Sequence, residues 1–392
     1  MRLVGRRVDT GEPVELVIEG EHIAAIIPVP DAPPIWLAPG LVDLQVNGYG
    51  GYDVNAADVS AATITALTHA VWATGVTTFC PTIITNAAGA MLRSLRAIAE
   101  ARAADPRVAH AIPRIHVEGP FISAEDGPRG AHPLAHVRPP DLDEYQRWQA
   151  AAEGRAGLIT LAPETPGALD FIRAVVADGV IVALGHTAAD GEQIRAAVDA
   201  GARLSTHLGN GAHARLPRHP NYLWSQLAED RLAASFIFDG HHLPPEVMRV
   251  MLRAKGLTRS VLVSDAVALA GMPPGVYDTP VGGRVELHAN GRLNLAGTAF
   301  LAGSASPLRR GVENAVRFTD ASLGQAVALA TANPAHLLGL ADPPRGVLSP
   351  GAAADLLIFE GDAVTQPLTP LATVAQGAVV WQADAARAQP GD

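Results

Sequence analysis

Strand-like and helix-like segments alternate between residues 41 and 263, and this alternation constrains the fold more than any other feature of the chain. Intervening segments such as Ser60–Thr74, Ala88–Ala104 and Glu192–Ala200 carry apolar residues at helical spacing. Repeated strand–helix units predict a (β/α)8 barrel, the TIM barrel of the α/β class. A doubly wound sheet is the alternative, but no glycine-rich phosphate loop follows the first strand. The strand-like runs are Leu41–Val46, Thr77–Ile84, Arg114–Glu118, Gly157–Leu161, Val180–Leu184, Ala202–Thr206, Ala233–Phe238 and Ser260–Val263.

Further strand-like segments lie on both sides of this region. Val14–Glu19 and His22–Pro28 precede it, and Asp355–Phe359 and Val374–Gln382 follow it. We therefore predict a small β-sandwich domain formed by both termini, residues 1–38 and 346–385, beside a barrel domain of residues 39–345. Within the barrel domain, Gly311–Phe318 and Ala326–Ala332 are predicted to be helical, and Arg284–His288 and Gly291–Leu295 to be strands.

Composition excludes several classes of protein. The net charge is −10, and Lys255 is the only lysine, so a nucleic-acid-binding surface is not expected. The N-terminus lacks the apolar core of a signal peptide, and no apolar run is long enough to span a membrane. The single cysteine, Cys80, rules out an internal disulfide and is interpreted as a buried apolar residue. We expect a cytoplasmic enzyme that binds neither nucleic acid nor membranes.

Acidic and imidazole groups stand at the ends of five of the eight predicted strands. Glu118 ends one run, His186 and His207 follow two others, Asp265 follows the last, and Asp239-Gly240-His241-His242 follows the seventh. Active sites of such barrels lie at the carboxyl ends of the strands. These side chains are therefore predicted to meet at one face of the barrel.

One glutamate and two histidines form a common catalytic zinc set, which leaves a position for water. Bound metal lowers the pKa of that water, and a nearby aspartate can act as general base. Glu118, His186 and His207 fit the first role and Asp265 fits the second. Any one of them alone is more simply explained as a structural group, and Asp265 alone as a helix cap. The four together favour a catalytic metal site.

Two absences favour a single metal ion over a pair. Many metal hydrolases of this barrel type carry His-x-His in the first strand, where this chain has Gln45-Val46-Asn47. Others bridge two metals with a carboxylated lysine after the fourth strand, where Pro163-Glu164 stands here. Glu164 remains open as a peripheral ligand of a second, weaker site.

The ordered set of motifs resembles the N-acetylglucosamine-6-phosphate deacetylase family of the amidohydrolase superfamily. The resemblance covers residues 39–351 and includes His116-Val117-Glu118-Gly119-Pro120-Phe121, Pro81-Thr82-Ile83-Ile84-Thr85, Gly130-Ala131-His132, Asp239-Gly240-His241-His242 and Ser264-Asp265-Ala266. It implies removal of the acetyl group from an amino sugar phosphate, with N-acetylglucosamine 6-phosphate as the first candidate. It also implies one divalent ion per subunit, zinc or alternatively iron, and a homodimer.

The resemblance further assigns roles to residues that match the family's motifs. Glu118, His186 and His207 match the metal ligands, and Asp265 matches the catalytic base and acid. His132 matches the histidine that polarises the amide carbonyl. The residues that match substrate-binding positions are Asn210, Gly211, Arg218 and His242, of which Arg218 is expected to reach the site of the neighbouring subunit.

The region that would hold the sugar and its phosphate departs from the family pattern. Thr206-His207-Leu208 is followed by Gly209-Asn210-Gly211-Ala212-His213, where the family has an aromatic residue and then Asn-Ala-Met. Two alternatives therefore remain open. One is the same chemistry on another N-acyl substrate, such as an unphosphorylated amino sugar or an N-acyl amino acid. The other, which does not rest on this departure and which the intact set of Glu118, His186, His207 and Asp265 disfavours, is a non-catalytic barrel protein.

Overall fold

A computed structural model describes residues 1–279 and 283–384 of the 392-residue chain. Residue 385, the predicted end of the small domain, lies outside the described residues. The strands, in chain order, are β1 Arg2–Arg7, β2 Pro13–Glu19, β3 His22–Pro28, β4 Trp36–Pro39, β5 Leu41–Val46, β6 Gly48–Tyr49, β7 Tyr52–Asp53, β8 Val76–Ile84, β9 Ile115–Glu118, β10 Ala156–Leu161, β11 Ile181–Leu184, β12 Leu204–Ser205, β13 Ala233–Phe236, β14 Ser260–Leu262, β15 Gly275–Thr279, β16 Gly283–Leu287, β17 Leu293–Leu295, β18 Leu356–Glu360, β19 Thr369–Ala375 and β20 Ala378–Gln382.

The helices lie between and after the barrel strands. Polar caps begin several of them: Ser60 forms a capping box with Thr63, and Asp190 forms one with Gln193. The helices are α1 Ala61–Trp72, α2 Ala88–Ala104, α3 Pro106–Ala111, α4 Leu142–Ala151, α5 Ala168–Ala177, α6 Gly191–Asp199, α7 Tyr222–Ala228, α8 Pro245–Lys255, α9 Leu308–Phe318, α10 Leu323–Ala328 and α11 Ala332–Leu337.

The eight central strands form a parallel barrel, which confirms the predicted fold class. Their order is β5-β8-β9-β10-β11-β12-β13-β14, so each barrel strand neighbours the barrel strand that follows it along the chain. Between β5 and β14 the barrel is completed by a parallel bridge from Val46 to Ala266 and by residues 329 and 330. The amide of Val42 donates to the carbonyl of Ala330, and the amide of Leu262 donates to the carbonyl of Leu329.

Small apolar side chains fill the inside of the barrel, as expected for alternating strand residues. Val42, Leu44, Leu158 and Ala183 pack there with the free thiol Cys80, which is buried as expected. Burial raises the pKa of Cys80 to about 12, so the thiol is inert at neutral pH. A second and larger core lies between the barrel and its helices.

Both termini contribute to one seven-stranded sheet, in the order β20-β19-β18-β4-β1-β2-β3. Most neighbours are antiparallel, but β1 and β4 are parallel. Its core includes Leu16, Ile23, Leu37 and Leu356, from both ends of the chain. A separate three-stranded antiparallel sheet, β15-β16-β17, follows the last barrel strand.

Two segments differ from the sequence-based prediction. Ala326–Ala332 is not one helix, because α10 ends at Ala328 and α11 begins at Ala332. The ring of Pro334 is incompatible with a helical carbonyl four residues earlier, and that carbonyl, of Ala330, bonds to β5 instead. Val374–Gln382 is not one strand but the end of β19 and all of β20, which join through a turn at Gln376 and Gly377.

Among the described residues, no helix is both long enough and apolar enough to cross a membrane.

Candidate metal centre and active site

Three buried side chains converge at the carboxyl ends of three barrel strands, β9, β11 and β12. Glu118 is the last residue of β9, His186 follows β11 by two residues, and His207 follows β12 by two residues. One ligand atom of each lies within 4.8 Å of the others, and the three side chains form a buried group that could hold a metal ion. The structure therefore brings together the three residues that the sequence nominated as ligands.

The backbone at the strand ends adopts an unusual conformation. His186, His207 and Asp265 have φ angles of 51°, 29° and 48°, in the left-handed region that L-residues other than glycine rarely enter. Such strain persists only where the surrounding structure enforces it, and it concentrates at functional sites. The backbone is therefore strained at three strand ends, at the residues whose side chains converge on the site.

The donor atoms are spaced as ligands of one ion would be. Oε1 of Glu118 lies 3.2 Å from Nε2 of His186 and 2.9 Å from Nε2 of His207, and the two Nε2 atoms are 3.1 Å apart. A tetrahedral ion with bonds of ~2.0 Å holds its ligand atoms roughly 3.3 Å apart. The imidazole of His186 donates from Nδ1 to the carbonyl of Pro128 at 2.8 Å, which leaves the lone pair of Nε2 for a metal. The residues fit a divalent ion.

Gln45 contacts the ligand carboxylate directly. Its side-chain amide donates to Oε1 of Glu118 at 2.8 Å. Burial alone would raise the pKa of Glu118, but the close contacts of its carboxylate with the rings of His186 and His207 outweigh burial and hold the pKa well below its usual range. Glu118 is therefore an anion, as a metal ligand must be.

Asp265 faces this cluster from the end of the last barrel strand. Its Oδ1 accepts a hydrogen bond of 2.7 Å from the side-chain amide of Asn47. Burial, and then the negative charge of Glu118, raise the pKa of Asp265 to about 6. A carboxyl group of this kind is ionised at neutral pH and still basic enough to accept a proton.

His132 lies beside the cluster on the loop that follows β9. Its ring centre is 4.3 Å from that of His186, edge to face, and the side chain is buried. Its Nδ1 lies 2.7 Å from the hydroxyl of Thr85. Burial lowers the pKa of His132 to about 3, so the imidazole is neutral.

The adjacent histidines at the end of β13 have different environments. Nδ1 of His242 lies 2.7 Å from Oδ2 of Asp239, and His242 lines the central cavity. Nε2 of His241 lies 3.2 Å from the carbonyl of Asn290 in the three-stranded sheet. The structure thus points His242, and not His241, towards the site.

A cavity of about 520 Å³ opens above the cluster. Its walls include the three candidate ligands, Asp265, His132, His242, Asn210 and Gly211. The aliphatic residues Val285 and Leu293 of the three-stranded sheet also line the cavity. Within the described part of the chain, no lysine or arginine lines this cavity.

Arg218 is the one nominated site residue that lies outside the cavity of its own chain. It is exposed in the segment between β12 and α7, and it makes no ion pair with any described residue. The neighbouring Arg215 is exposed as well.

The whole-chain comparison decides the family. The model of the amidohydrolase family matches residues 36–381. The chain belongs to the amidohydrolase family. It is a metal-dependent enzyme of that family, as the buried Glu–His–His cluster also indicates.

Relatives of this amidohydrolase are similar over nearly their whole length. It is 37% identical to N-acetylglucosamine-6-phosphate deacetylase of Bos taurus, over 90% of this chain and 85% of the relative. It is 32% identical to N-acetylgalactosamine-6-phosphate deacetylase of Escherichia coli O157:H7, over 88% and 90%. The crystal structure of N-acetyl-D-glucosamine-6-phosphate deacetylase from Mycobacterium smegmatis is 31% identical, with a TM-score of 0.85 over 97% of this chain and 100% of that one. The resemblance inferred from the motifs is confirmed.

Two further polar residues near the site, Glu164 and His116, have hydrogen-bond partners within the structure. Both carboxylate oxygens of Glu164 accept hydrogen bonds, from the hydroxyl of Thr187 and the amide of Ala188, so Glu164 supports the segment after His186. His116 lies inside the barrel below Glu118, where Nε2 is 2.8 Å from the hydroxyl of Thr160. Burial lowers the pKa of His116 to about 4, so this imidazole is neutral.

Sequence reasoning missed the supporting contacts of Asn47 and Thr85. In the sequence Asn47 stands where related hydrolases have a metal-binding histidine, and the motif that contains Thr85 does not indicate a partner for its hydroxyl. One feature of the sequence could have indicated these contacts. Side chains two residues apart on a strand lie on the same side, so Gln45 and Asn47, at the end of β5, point in the same direction. Their hydrogen bonds to Glu118 and Asp265 nevertheless join residues far apart in the sequence.

Proposed function

We propose that this amidohydrolase removes the acetyl group from the nitrogen of an amino sugar phosphate, with N-acetylglucosamine 6-phosphate as the principal substrate. One observation carries the proposal: Glu118, His186 and His207 converge with Asp265 on a single cavity. Similarity over most of the chain to deacetylases of amino sugar 6-phosphates supports the choice of substrate.

We propose one divalent ion per subunit, zinc with iron as the alternative, held by Oε1 of Glu118 and the Nε2 atoms of His186 and His207. Such an ion supplies a Lewis acid and lowers the pKa of water. Neutral imidazoles and a carboxylate anion are the donor forms that zinc requires.

In the proposed reaction Asp265 moves the proton. Asn47 occupies Oδ1 of the carboxylate, which leaves Oδ2 to accept a proton from the attacking water. The water oxygen bonds to the amide carbon, and Asp265 then passes the proton to the departing nitrogen as the C–N bond breaks. The second proton of the water ionises from the resulting acid and is taken up by the amine or the solvent, so the products at neutral pH are acetate and the protonated amine.

His132 and His242 have complementary roles in this proposal. Neutral His132 can donate a hydrogen bond to the amide oxygen, where negative charge develops in the transition state. The carboxylate of Asp239 orients the ring of His242, which leaves Nε2 of His242 for a hydroxyl of the sugar.

A phosphate group is best bound by cations, and the described wall of the cavity in one chain has no lysine or arginine. We propose that Asn210 and the backbone of Gly211 contact the phosphate, and that Arg218 of a second copy completes the site in a homodimer. Arg218 is exposed and free of ion pairs with the described residues, and its planar fork suits a phosphate. We also propose a cytoplasmic location, which accords with a chain whose single cysteine cannot form an internal disulfide.

A second candidate substrate is the unphosphorylated sugar, N-acetylglucosamine. Two observations favour it: the described cavity wall has no lysine or arginine, and the segment after His207 departs from the family pattern. The catalytic steps would be unchanged, because they involve only the amide.

Substrate profiling with zinc-loaded enzyme tests both candidates. Release of amine is measured from N-acetylglucosamine 6-phosphate, N-acetylgalactosamine 6-phosphate and N-acetylglucosamine. We expect a strong preference for a phosphorylated sugar, and we expect Arg218→Ala to raise KM for it while leaving turnover of N-acetylglucosamine unchanged. Arg215→Ala, on the same exposed segment, is the matched control. If the enzyme turns over the phosphorylated and the unphosphorylated sugar equally, and Arg218→Ala changes neither rate, N-acetylglucosamine is the better candidate substrate.

A further inference from the structure

The hydroxyl group of Thr85 contacts His132, the active-site histidine on the loop after β9. Thr85 directly follows β8, is 1% exposed, and places Oγ1 2.7 Å from Nδ1 of His132. Neither atom has another hydrogen-bond partner among the described residues. The contact joins the end of one barrel strand to the loop that follows the next strand.

The direction of this hydrogen bond follows from the proton of the hydroxyl. A threonine hydroxyl carries one proton to donate, whereas a neutral imidazole has one donor and one acceptor nitrogen. If Nδ1 of His132 donated to Thr85, the buried hydroxyl proton would have no acceptor in the described structure. Buried polar hydrogens are rarely left unpaired. The hydroxyl therefore donates, and Nδ1 accepts.

The space for this hydroxyl depends on Gly119, the residue after the ligand Glu118. A β-carbon at position 119 would lie 2.2 Å from Oγ1 of Thr85, and the φ angle of Gly119 is 75°. Glycine thus satisfies two requirements at once: the left-handed backbone that follows β9 and the close approach of Thr85. The absence of a side chain at Gly119, at the end of the strand that carries the ligand Glu118, leaves room for the hydroxyl of Thr85.

We propose that Thr85 is a positioning residue, which fixes His132 as the tautomer with its proton on Nε2. Nδ1 is occupied by the hydroxyl, so Nε2 is the nitrogen left for the cavity that His132 lines. In that state His132 can only donate towards the cavity. This inference rests on the proposed function, because a donor at this place serves the oxygen of an N-acyl amide as it becomes negative.

A spectroscopic measurement tests the tautomer without any substrate. Zinc-loaded enzyme labelled with 15N-histidine is examined by long-range 1H–15N correlation, which distinguishes a protonated Nε2 from a protonated Nδ1. His132→Asn identifies the signals of His132 among those of the 14 histidines. We expect a proton on Nε2 in the wild type and in Thr85→Ser, and a shifted Nδ1 signal in Thr85→Val. A proton on Nδ1 in the wild type would overturn the proposal, whatever the enzyme hydrolyses.

Kinetics supply the second readout. Thr85→Val keeps the shape of the side chain and removes the hydroxyl, so kcat is expected to fall roughly 10- to 100-fold, less than the ~10²–10³-fold loss on removing an oxyanion donor itself. KM is expected to change little, and Thr85→Ser is expected to restore most of the loss. Thr78→Val is the matched control, because Thr78 is buried in the same strand and distant in register from the cavity.

The two proposals fail in different ways. A wild type that releases no amine from any N-acyl amino sugar would refute the proposed function, while the spectra would still decide the tautomer. Full kcat in a folded Thr85→Val variant of an active enzyme would refute the positioning role of Thr85 alone.

Discussion

The side-chain amide of Asn47 donates a hydrogen bond of 2.7 Å to Oδ1 of Asp265, across 218 residues of sequence. Asn47 lies at the end of the first barrel strand and Asp265 at the end of the last, so the bond spans the place where the barrel closes. It fixes the plane of the carboxylate and leaves Oδ2 for proton transfer. Asn47 thus supports the base where other metal hydrolases of this barrel type have a metal ligand.

Replacement of Asn47 by leucine should lower turnover more than binding. A hydrogen bond to a charged group contributes about 1.5–3 kcal/mol, so loss of its positioning effect should reduce kcat roughly 10- to 150-fold. KM and the zinc content should stay near their wild-type values. Steady-state kinetics and metal analysis of Asn47→Leu check this expectation.

Asn333→Leu is the matched control for that variant. Its side-chain amide donates to the carbonyls of Leu257 and Ser260, at the opposite end of the last barrel strand. This change should lower stability and leave kcat of the folded enzyme unaltered. If both variants lose turnover equally, the effect at Asn47 is a general loosening of the barrel.

Asp265→Asn tests the base itself. An amide of the same shape cannot accept and return the proton, so kcat should fall by roughly 10²–10⁴-fold. The fold and the zinc content should be retained, because Glu118, His186 and His207 form the cluster without Asp265. Turnover close to that of the wild type in a zinc-loaded Asp265→Asn enzyme would remove Asp265 from the proposed role.

Metal removal should affect both activity and stability. A ligand present at a hundred times its Kd stabilises the folded state by about 2.7 kcal/mol, so a chelator should lower the melting temperature of the wild type. Glu118→Gln loses the anionic ligand, and its melting temperature should be low and insensitive to the chelator. Thermal unfolding with and without chelator, followed by zinc readdition, checks this prediction.

Glu125→Gln is the control for the metal experiment. Glu125 is exposed and pairs with His213 at 3.1 Å, outside the cluster. Its variant should respond to the chelator as the wild type does. Equal chelator sensitivity of Glu118→Gln would mean that Glu118 is not a ligand.

The positions of the site residues could be predicted from the sequence because barrel geometry is regular. The carboxyl ends of all eight strands lie on one face, so the placement of Glu118, His186, His207 and Asp265 at strand ends was enough to group them. Strand boundaries followed from short apolar runs, and β5 was predicted to the residue. Local sequence determines these features.

The missed features depend on contacts between distant segments. Helical periodicity through Ala326–Ala332 could not show that the carbonyls of Leu329 and Ala330 bond to β14 and β5 and complete the barrel. Likewise nothing near Thr85 indicates His132 as its partner. Arg218 likewise does not line the cavity of its own chain, so its proposed contact with the substrate depends on a second copy of the chain.

Lys255, the only lysine of the chain, offers a measurement that few proteins allow. Its side chain is fully buried, and Nζ donates to the carbonyls of Gln226 and Glu229 at 2.8 Å each, at the end of α7. A neutral amine has two protons for these two acceptors, and an ammonium has a third. Burial, and then the charge of Arg259, lower the pKa of Lys255 to about 8.

The pH dependence of stability follows from this lowered pKa. Between the folded value near 8 and the usual value near 10.5, the unfolded chain holds a proton that the folded chain has released. The contribution of Lys255 to the free energy of unfolding therefore rises as the pH increases across this range. The total gain is about 3 kcal/mol, and it is lost again as the pH falls back to 8. In protein labelled with 13C-lysine, the single side-chain signal should titrate near pH 8. Lys255→Met should lack this signal and the associated gain in stability, whereas a midpoint near 10.5 in the wild type would show that the amine is solvated.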